Sequence, residues 1–265
     1  MTEEIKYFLI GIIQGLAEFF PVSSSGHIVL LSSLLEISNE HPLLLSITVH
    51  FATTLSTIIV FRKKIFEIIL ELTSSKQFFY QSMFFKILVS STPIFFVGLL
   101  FKSNIESFFL ESYLVVAIML IITGIILLTT NFISDGKNSI SLFSAFIIGL
   151  AQAIAVVPGI SRSGLTISTA LFLRTSKKEA AEFSFIMVLV PIIGITILEF
   201  FLFFKNSTSI SLTSQKTLII SFFSSFISGL IACKYMISIV KYNNLKYFGF
   251  YCILIAFVVI FITQL

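Results

Sequence analysis

The sequence predicts an all-α protein that crosses a membrane several times, and three observations support this. Hydrophobic residues make up 57% of the 265 positions and charged residues only 11%, whereas soluble domains carry about 25% charged residues. The mean hydropathy is +1.06. Many apolar segments approach the ~20 residues that a helix needs to cross the hydrocarbon core. We therefore interpret residues 1–265 as one polytopic integral membrane domain.

Two apolar segments are too short for a complete crossing, and a polar turn at Pro21 or Pro158 interrupts each of them. The four half-helices are expected at residues 5–20 and 28–35 and, in the second segment, at residues 140–157 and 165–173. Non-helical backbone inside a bilayer requires protein or a water-filled cavity around it. We interpret each segment as a re-entrant helix pair that enters and leaves on one side of the membrane.

Six further segments are long enough to be full transmembrane helices. They are expected at residues 43–61, 83–101, 113–131, 183–204, 217–240 and 247–262. The chain therefore uses one plan twice, a broken pair followed by three spans, in approximately residues 1–135 and 136–265. Because three is odd, the second copy must be inverted relative to the first. Such an inverted-topology repeat brings its broken segments together near the midplane.

Basic residues in the predicted loops indicate the orientation, because cytoplasmic loops carry an excess of Lys and Arg. Ten lie on one side, which we assign to the cytoplasm, and four on the other. The ten are Arg62, Lys63, Lys64, Lys76, Lys137, Arg174, Lys177, Lys178, Lys241 and Lys246; the four are Lys6, Lys102, Lys205 and Lys216. Both termini are expected to face outward. The formal net charge of +4 does not indicate a nucleic-acid partner, because these residues lie at the ends of apolar segments.

The first break lies within the sequence QGLAEFFPVSSSGH at residues 14–27. Glu18 follows Gln14 by about one helical turn, so both side chains share a face. Together they present oxygens suited to a divalent cation such as Mg²⁺ or Ca²⁺. A charge at this depth costs at least about 2.5 kcal/mol on insertion scales, which makes Glu18 a functional candidate. Its alternative role is a structural ion pair with Arg162, and the two roles are compatible.

Three hydroxyls precede the second half-helix of the first pair: Ser23, Ser24 and Ser25. Such residues commonly cap a helix N-terminus, and the same terminus, with its free amides and positive dipole end, suits a phosphate group. His27 lies three residues after Ser24. A nucleophile and a proton-handling group are therefore expected within reach of each other.

The second break lies within the sequence PGISRSGLT at residues 158–166. Arg162 is always charged and its fork of N–H groups matches phosphate oxygens; a purely structural ion pair is the alternative. Three further hydroxyls are expected to bind phosphate with it: Ser161, Ser163 and Thr166. The sequence GLAQ at 149–152 resembles GLAE at 15–18, so we interpret the two breaks as halves of one site.

Other polar residues in apolar segments point to function less directly. The side chain of His50 either faces the proposed cavity between the two breaks or bonds a backbone carbonyl, and both alternatives stay open. Glu182 is expected to pair with nearby lysines at the membrane interface, and Glu199 to reach water at the outer end of its span. Cys233 and Cys252 lack metal-ligand spacing and are interpreted as packing thiols.

The paired motifs at 14–27 and 158–166 resemble the signatures of the bacitracin-resistance type of undecaprenyl-diphosphate phosphatase, over nearly the whole chain. The resemblance implies a bacterial cytoplasmic-membrane enzyme whose active site opens to the outer, periplasmic face. Its substrate would be a polyprenyl diphosphate lipid, converted to the monophosphate carrier that cell-wall synthesis reuses. The resemblance further implies a divalent cation requirement and bacitracin resistance on overproduction.

The resemblance also assigns roles position by position. It maps the acidic motif onto Gln14 and Glu18, the phosphate-side residues onto Ser24 and His27, and the second motif onto Ser161, Arg162 and Thr166. Many family members have Glu where this chain has Gln14. A cation here would be held by one carboxylate and one amide together with water and the diphosphate of the substrate.

Two mechanisms and two function classes stay open at this point. In one mechanism Ser24 attacks the terminal phosphorus and Glu18 or His27 takes its proton; in the other, water attacks and Ser24 only binds phosphate. The competing class is a transporter, concretely a flippase for the monophosphate carrier lipid, because inverted repeats with broken helices are a transporter architecture. The sequence leaves the oligomeric state open, and a homo-oligomer is compatible with it.

Overall fold

The computed structural model describes residues 1–37, 42–71, 80–100, 113–205, 212–242 and 245–263, and most of these residues are helical. The helices are α1 Glu3–Phe19, α2 Ser24–Leu34, α3 Pro42–Val60, α4 Arg62–Glu71, α5 Met83–Leu100, α6 Tyr113–Thr129, α7 Leu142–Ile154, α8 Arg162–Phe172, α9 Lys177–Met187, α10 Leu189–Lys205, α11 Leu212–Lys241 and α12 Leu245–Thr263. The only β-pairing within these ranges is a single bridge between Asn138 and Thr175. The predicted all-α class is confirmed.

Five helical stretches of the described residues are long and apolar enough to cross a membrane. They are Met83–Leu100, Tyr113–Phe132, Lys177–Leu198, Thr213–Lys241 and Leu245–Ile262. A sixth is formed if Leu44–Val60 and Arg62–Glu71, which meet at a 77° bend, count as one span. The chain is a multi-pass membrane protein. Lys76 and Lys102, counted above for the orientation, lie outside the described residues, as does the side chain of Glu199.

Two details differ from the predictions. The basic cluster Arg62, Lys63 and Lys64 does not lie in a loop but begins α4, whose apolar side chain Ile68 is buried. The predicted span 183–204 starts earlier, at Lys177, because the hydroxyl of Ser176 caps α9 by accepting the N–H of Glu179. In both places helix extends beyond the predicted apolar run.

Both broken pairs are present. Their helices have 17, 11, 13 and 11 residues, so each falls short of the ~20 needed to cross the hydrocarbon core. α2 and α8 begin earlier than predicted because Ser23 and Ser161 cap them, accepting the N–H groups of Gly26 and Gly164. Ser24 and Arg162 are thereby the first helical residues after the two breaks.

The two halves of the chain interlock. α1 packs along α11, and its counterpart in the second half, α7, packs along α5, the counterpart of α11. α6 and α12, which are counterparts of each other, pack together. This exchange of partners is the pattern that a repeat produces, and the inverted relation of the two halves stays a prediction.

Glycines allow the close approach of the broken helices to these partners. A Cβ on Gly15 would lie 2.5 Å from the carbonyl oxygen of Ser225 in α11, and one on Gly149 would lie 2.3 Å from the carbonyl oxygen of Ser90 in α5. Small residues permit such backbone contact between membrane helices. The GLAE and GLAQ sequences therefore share a packing role, since their glycines lie at equivalent contacts.

The core lies between helices of both halves. Its largest fully buried side chains include Leu120, Ile148, Ile167, Phe183 and Met236, from α6, α7, α8, α9 and α11. Large apolar side chains such as Phe96, Phe201 and Phe257 are exposed on the outside. Such a surface suits contact with lipid tails, which are as apolar as the side chains themselves. The core thus holds the two broken pairs within the bundle.

Candidate active site

The structure brings the two breaks into contact. A Cβ on Gly26 would lie 3.2 Å from the Cα of Gly159, and one on Gly164 would lie 3.1 Å from the Cβ of Pro21. The hydroxyl of Ser163 donates to the carbonyl of Phe20 at 3.3 Å. The N-termini of α2 and α8 therefore lie beside each other although they are more than half the chain apart.

The second break depends on one glycine and on a residue that the sequence analysis missed. Gly159 has φ +94° and a Cβ there would lie 2.5 Å from the carbonyl oxygen of Val116, so this position requires glycine. The hydroxyl of Thr123 in α6 donates to the carbonyl of Gly159 at 3.1 Å and accepts the N–H of Ser161 at 3.0 Å. A hydroxyl inside an otherwise apolar span was the signal that could have identified Thr123.

Glu18 is the centre of the polar cluster. Its Oε2 accepts the hydroxyl of Ser24 at 2.9 Å and the amide of Gln14 at 3.1 Å, while its Oε1 is bonded by the guanidinium of Arg162. The side chain of Glu18 is 5% exposed and that of Arg162 is 18% exposed. A buried carboxylate requires such partners, because an unpaired charge is costly away from water. The ion pair considered from sequence is present.

His50 also faces this cluster. Its Nδ1 lies 3.1 Å from Nε2 of Gln14 and 3.6 Å from Oε2 of Glu18. Because an amide nitrogen only donates, Nδ1 acts as the acceptor, which puts the ring proton of a neutral imidazole on Nε2. Of the two alternatives left open by the sequence, the structure has the side chain facing the cluster. It is 31% exposed and therefore reaches the edge of the site.

His27 lies next to the cluster but is bonded elsewhere. Its Nδ1 lies 2.9 Å from the carbonyl oxygen of Ser23, and its Nε2 lies 2.9 Å from the hydroxyl of Tyr251 in α12. A carbonyl only accepts, so Nδ1 donates and Nε2 accepts from Tyr251. The His27 and Tyr251 rings also stack, with centroids 5.6 Å apart. The proton-handling role of His27 stays a prediction, and Tyr251 could not be paired with it from sequence.

The remaining hydroxyls mainly hold the breaks in shape. Ser23 and Ser161 cap their helices. The Oγ of Ser23 also lies 3.4 Å from the Oγ of Ser25, and the Oγ of Ser161 lies 3.3 Å from the Oγ of Ser163. Thr166 is fully buried; its hydroxyl donates to the carbonyl of Arg162 at 2.8 Å and lies 2.6 Å from Ser184 Oγ. The phosphate-binding roles of these five residues stay predictions.

One space adjoins the cluster and a second adjoins the first break. A cavity of ≈ 10 Å³ lies between the Glu18–Arg162 pair and threonines of α3, and its lining includes Thr53, Thr54 and Thr57. This is room for about one water molecule. A groove of ≈ 370 Å³ lies between α1 and α12, with Val22 of the first break and His27 in its lining. Only the groove has the size of a ligand pocket, typically ~300–1,000 Å³.

The match to known proteins decides the family. Residues 7–258 match the family described as "Bacitracin resistance protein BacA". The chain belongs to the BacA family. The family predicted from the paired motifs is thereby confirmed.

Relatives of this BacA-family chain align with it over nearly their whole length. The undecaprenyl-diphosphatase of Bacteroides fragilis is 40% identical over 264 residues, 99% of each chain. That of Parabacteroides distasonis is 42% identical over 258 residues, 97% of each chain. That of Christiangramia forsetii is 43% identical over 250 residues, 94% of each chain. The similarity therefore includes both breaks and all helices around them.

The donor set for a cation is small in this BacA-family chain. The described residues contain no group of three or more His, Cys, Asp or Glu side chains that could hold a metal ion. One buried oxygen is available, because Oε1 of Gln14 has no hydrogen-bond partner among them. Glu18 and Gln14 fit a divalent cation only as partial ligands, since Ca²⁺ takes about 6–8 oxygens. A substrate and water would have to supply the rest.

The other polar residues singled out from sequence lie away from the cluster. Glu182 lies 3.7 Å from the Nζ of Lys178, which is 69% exposed, so the predicted pair with a nearby lysine is confirmed and its place at the membrane interface stays a prediction. Cys233 and Cys252 are buried free thiols, as predicted, and the thiol of Cys252 lies 3.6 Å from the carbonyl oxygen of Pro21. Of these residues, Cys252 contacts the first break.

Proposed function

We propose that this chain is an integral membrane undecaprenyl-diphosphate phosphatase, which hydrolyses undecaprenyl diphosphate to undecaprenyl phosphate and inorganic phosphate. The decisive observation is the contact of Arg162 with Glu18 while Glu18 also accepts the hydroxyl of Ser24. A guanidinium, a carboxylate and a hydroxyl thus meet at the N-termini of two half-helices. The names of the relatives support the same reaction.

Binding of the terminal phosphate is assigned to Arg162 and the helix ends. A guanidinium has five N–H donors, so Arg162 can hold Glu18 and still bind phosphate oxygens. Ser24 and Arg162 are the first residues of α2 and α8, so the free amides and positive dipole ends of both helices are available to an anion. This arrangement stabilises the charge on the equatorial oxygens during phosphoryl transfer.

The nucleophile in this proposal is Ser24. Its hydroxyl already donates to Glu18 at 2.9 Å, so Glu18 is positioned to take the proton as the Ser24 oxygen bonds to the terminal phosphorus. The bond from that phosphorus to the bridging oxygen breaks, and undecaprenyl phosphate leaves. Water then attacks the phosphoserine, inorganic phosphate leaves, and the proton returns from Glu18 to Ser24. The Tyr251 hydrogen bond on Nε2 of His27 favours Glu18 as the base.

A divalent cation, Mg²⁺ or Ca²⁺, is part of the proposal. Glu18 and the unpartnered Oε1 of Gln14 would hold it together with diphosphate oxygens, and it would neutralise charge on the leaving phosphate. The excess of basic residues on one predicted side supports a site open to the outer face, and the family supports a location in a bacterial cytoplasmic membrane.

The test is release of inorganic phosphate from undecaprenyl diphosphate by the purified protein. We expect turnover by the unchanged chain and a loss of kcat/KM of about 1,000-fold or more in Arg162→Ala and Glu18→Ala, because both remove charge stabilisation of the transition state. Arg62→Ala, which removes an exposed arginine of α4, is the matched control, and its kcat/KM should equal that of the unchanged chain.

The competing transporter class makes the opposite prediction. A flippase for the monophosphate lipid would move lipid between leaflets without releasing phosphate. No phosphate release by the unchanged chain, or near-normal release by Arg162→Ala protein, would overturn the proposed function. Correct folding of each variant is checked by its thermal unfolding in detergent.

A further inference from the structure

The groove between α1 and α12 is a space of ligand size next to the first break. Its walls are mainly apolar or aromatic and come from α1, the first break and α12. The residues used below are Leu16, Phe20, Val22, His27, Tyr247 and Tyr251. Lining of this kind, with few polar groups at one edge, is typical of sites for apolar ligands.

The groove begins at the reactive break. Phe20 and Val22 flank Pro21 and both line it. His27 lies in the first turn of α2, one turn after Ser24, and its hydrogen bond to Tyr251 connects the break to the α12 wall. A ligand whose head group lies at Ser24 therefore has the groove within about one helical turn, at His27.

The two faces of α1 separate the polar and apolar parts. Gln14 and Glu18 lie one turn apart on the face that meets Arg162 and His50. Leu16 and Phe20, also one turn apart, lie on a different face and line the groove. A molecule with a charged head and an apolar chain can thus contact both faces of the same helix.

The groove is also open toward the surroundings of the protein. Tyr247 is 63% exposed and Tyr251 40% exposed, and the neighbouring α12 residues Phe250 and Leu254 are exposed apolar side chains. In a membrane protein such a surface lies against lipid tails. The cavity beside Glu18 and Arg162 holds about one water, so it has no room for a hydrocarbon chain.

We propose that the α1–α12 groove binds the first isoprene units of the polyprenyl chain of the substrate. This inference rests on the proposed function and deepens it, since it assigns the direction in which the chain leaves the phosphate site. The polyprenyl chain passes from Ser24 over Val22 and Phe20, and it leaves the protein sideways between Leu16 and Tyr247. The apolar walls favour the polyprenyl chain as the ligand, because binding there removes hydrocarbon surface from water.

The first test fills the groove. Leu16→Trp places a larger side chain in it, and the matched control Leu254→Trp makes the same change on the exposed side of α12. We expect Leu16→Trp to raise KM for farnesyl diphosphate about tenfold or more, the effect of overfilling a packed site. The inhibition constant of inorganic phosphate, which reports on the head-group site, should change by less than about twofold. Leu254→Trp should alter neither constant.

The outcomes separate this inference from the proposed function. An unchanged KM in Leu16→Trp, or equal increases in KM and in the phosphate inhibition constant, would overturn the groove assignment. Failure of the unchanged protein to release phosphate from any prenyl diphosphate would instead overturn the proposed function.

A second test detects the chain directly. The sequence contains no Trp, so Tyr247→Trp introduces a single fluorescent reporter at the rim of the groove. Farnesyl phosphate should shift its emission to shorter wavelength, because the chain displaces surrounding detergent and orders the rim. No shift with farnesyl phosphate, or an equal shift with inorganic phosphate, which has no hydrocarbon chain, would contradict the groove assignment.

Discussion

Glu18 accepts hydrogen bonds on both of its carboxylate oxygens, and this distinguishes hydroxyls that looked alike in the sequence. Ser24 donates to Glu18, whereas the hydroxyl of Ser23 accepts the N–H of Gly26. The sequence indicated the right group of residues because a carboxylate and three serines in an apolar segment are unusual. It could not rank the serines, since the rank depends on the direction of each side chain after the break.

Ser24 and Ser23 should therefore respond differently to the same substitution. Ser24→Ala removes the proposed nucleophile and should abolish phosphate release. Ser23→Ala removes a helix cap, which costs about 1 kcal/mol of stability, and should keep most of the activity. The measurement is kcat on undecaprenyl diphosphate, together with a search for phosphoserine in acid-quenched reactions. Equal activity of the two variants would remove Ser24 as the nucleophile and favour direct attack by water.

Gln14 stands where the family resemblance implies Glu in many members. Gln14→Glu would give the cation site a second carboxylate, one turn from Glu18. Because affinity for hard cations rises with ligand charge, the concentration of Mg²⁺ or Ca²⁺ for half-maximal activity should fall about tenfold or more. Gln14→Leu should raise the cation concentration needed for half-maximal activity. A cation titration that is identical in the three proteins would exclude Gln14 from the cation site.

At the scale of helices, packing between the halves holds the breaks together. α1 and α7 contact α11 and α5 through glycines of the related GLAE and GLAQ sequences. The sequence predicted both broken pairs because apolar length, proline and glycine are local properties. It placed the starts of α2 and α8 too late, since the caps Ser23 and Ser161 extend each helix by several residues.

The helix contacts predict opposite effects of one substitution at two glycines. A Cβ on Gly98 in α5 would have no neighbour within 4 Å, so Gly98→Ala should stabilise the helix by about 0.5–1 kcal/mol. A Cβ on Gly15 would lie 2.5 Å from backbone of α11, so Gly15→Ala should destabilise by about 1–3 kcal/mol. Thermal unfolding in detergent measures both. A stabilising Gly15→Ala would contradict the close packing of α1 on α11.

At the scale of the whole molecule, the two halves form one site only because they interlock. Arg162 lies 144 residues from Glu18, and the guanidinium reaches the carboxylate only where the second break crosses the first. Each half alone would leave one of these charges without its partner. A charged residue deprived of its buried partner is strongly destabilising, by about 3–5 kcal/mol. The site is therefore part of what holds the halves in register.

The orientation of the whole molecule is predicted from its basic residues and can be measured by labelling. Glu4 and Lys178 are exposed and lie on opposite sides in the proposed topology. A membrane-impermeant maleimide added to intact cells should label Glu4→Cys and leave Lys178→Cys unlabelled until the cells are opened. The native cysteines are buried and serve as the unlabelled background. The reverse labelling would invert the topology and move the site to the cytoplasmic side.

The sequence by itself determined the helical membrane class, the positions of the two breaks and the candidates Glu18, Ser24 and Arg162. These follow from apolar length, from proline and glycine, and from charges in apolar segments, which are all properties of neighbouring residues. Only the tertiary structure decided which of these groups touch, and it added partners such as Tyr251 and Thr123. Such contacts join residues far apart in the chain, so they depend on how whole helices pack against each other rather than on any local pattern.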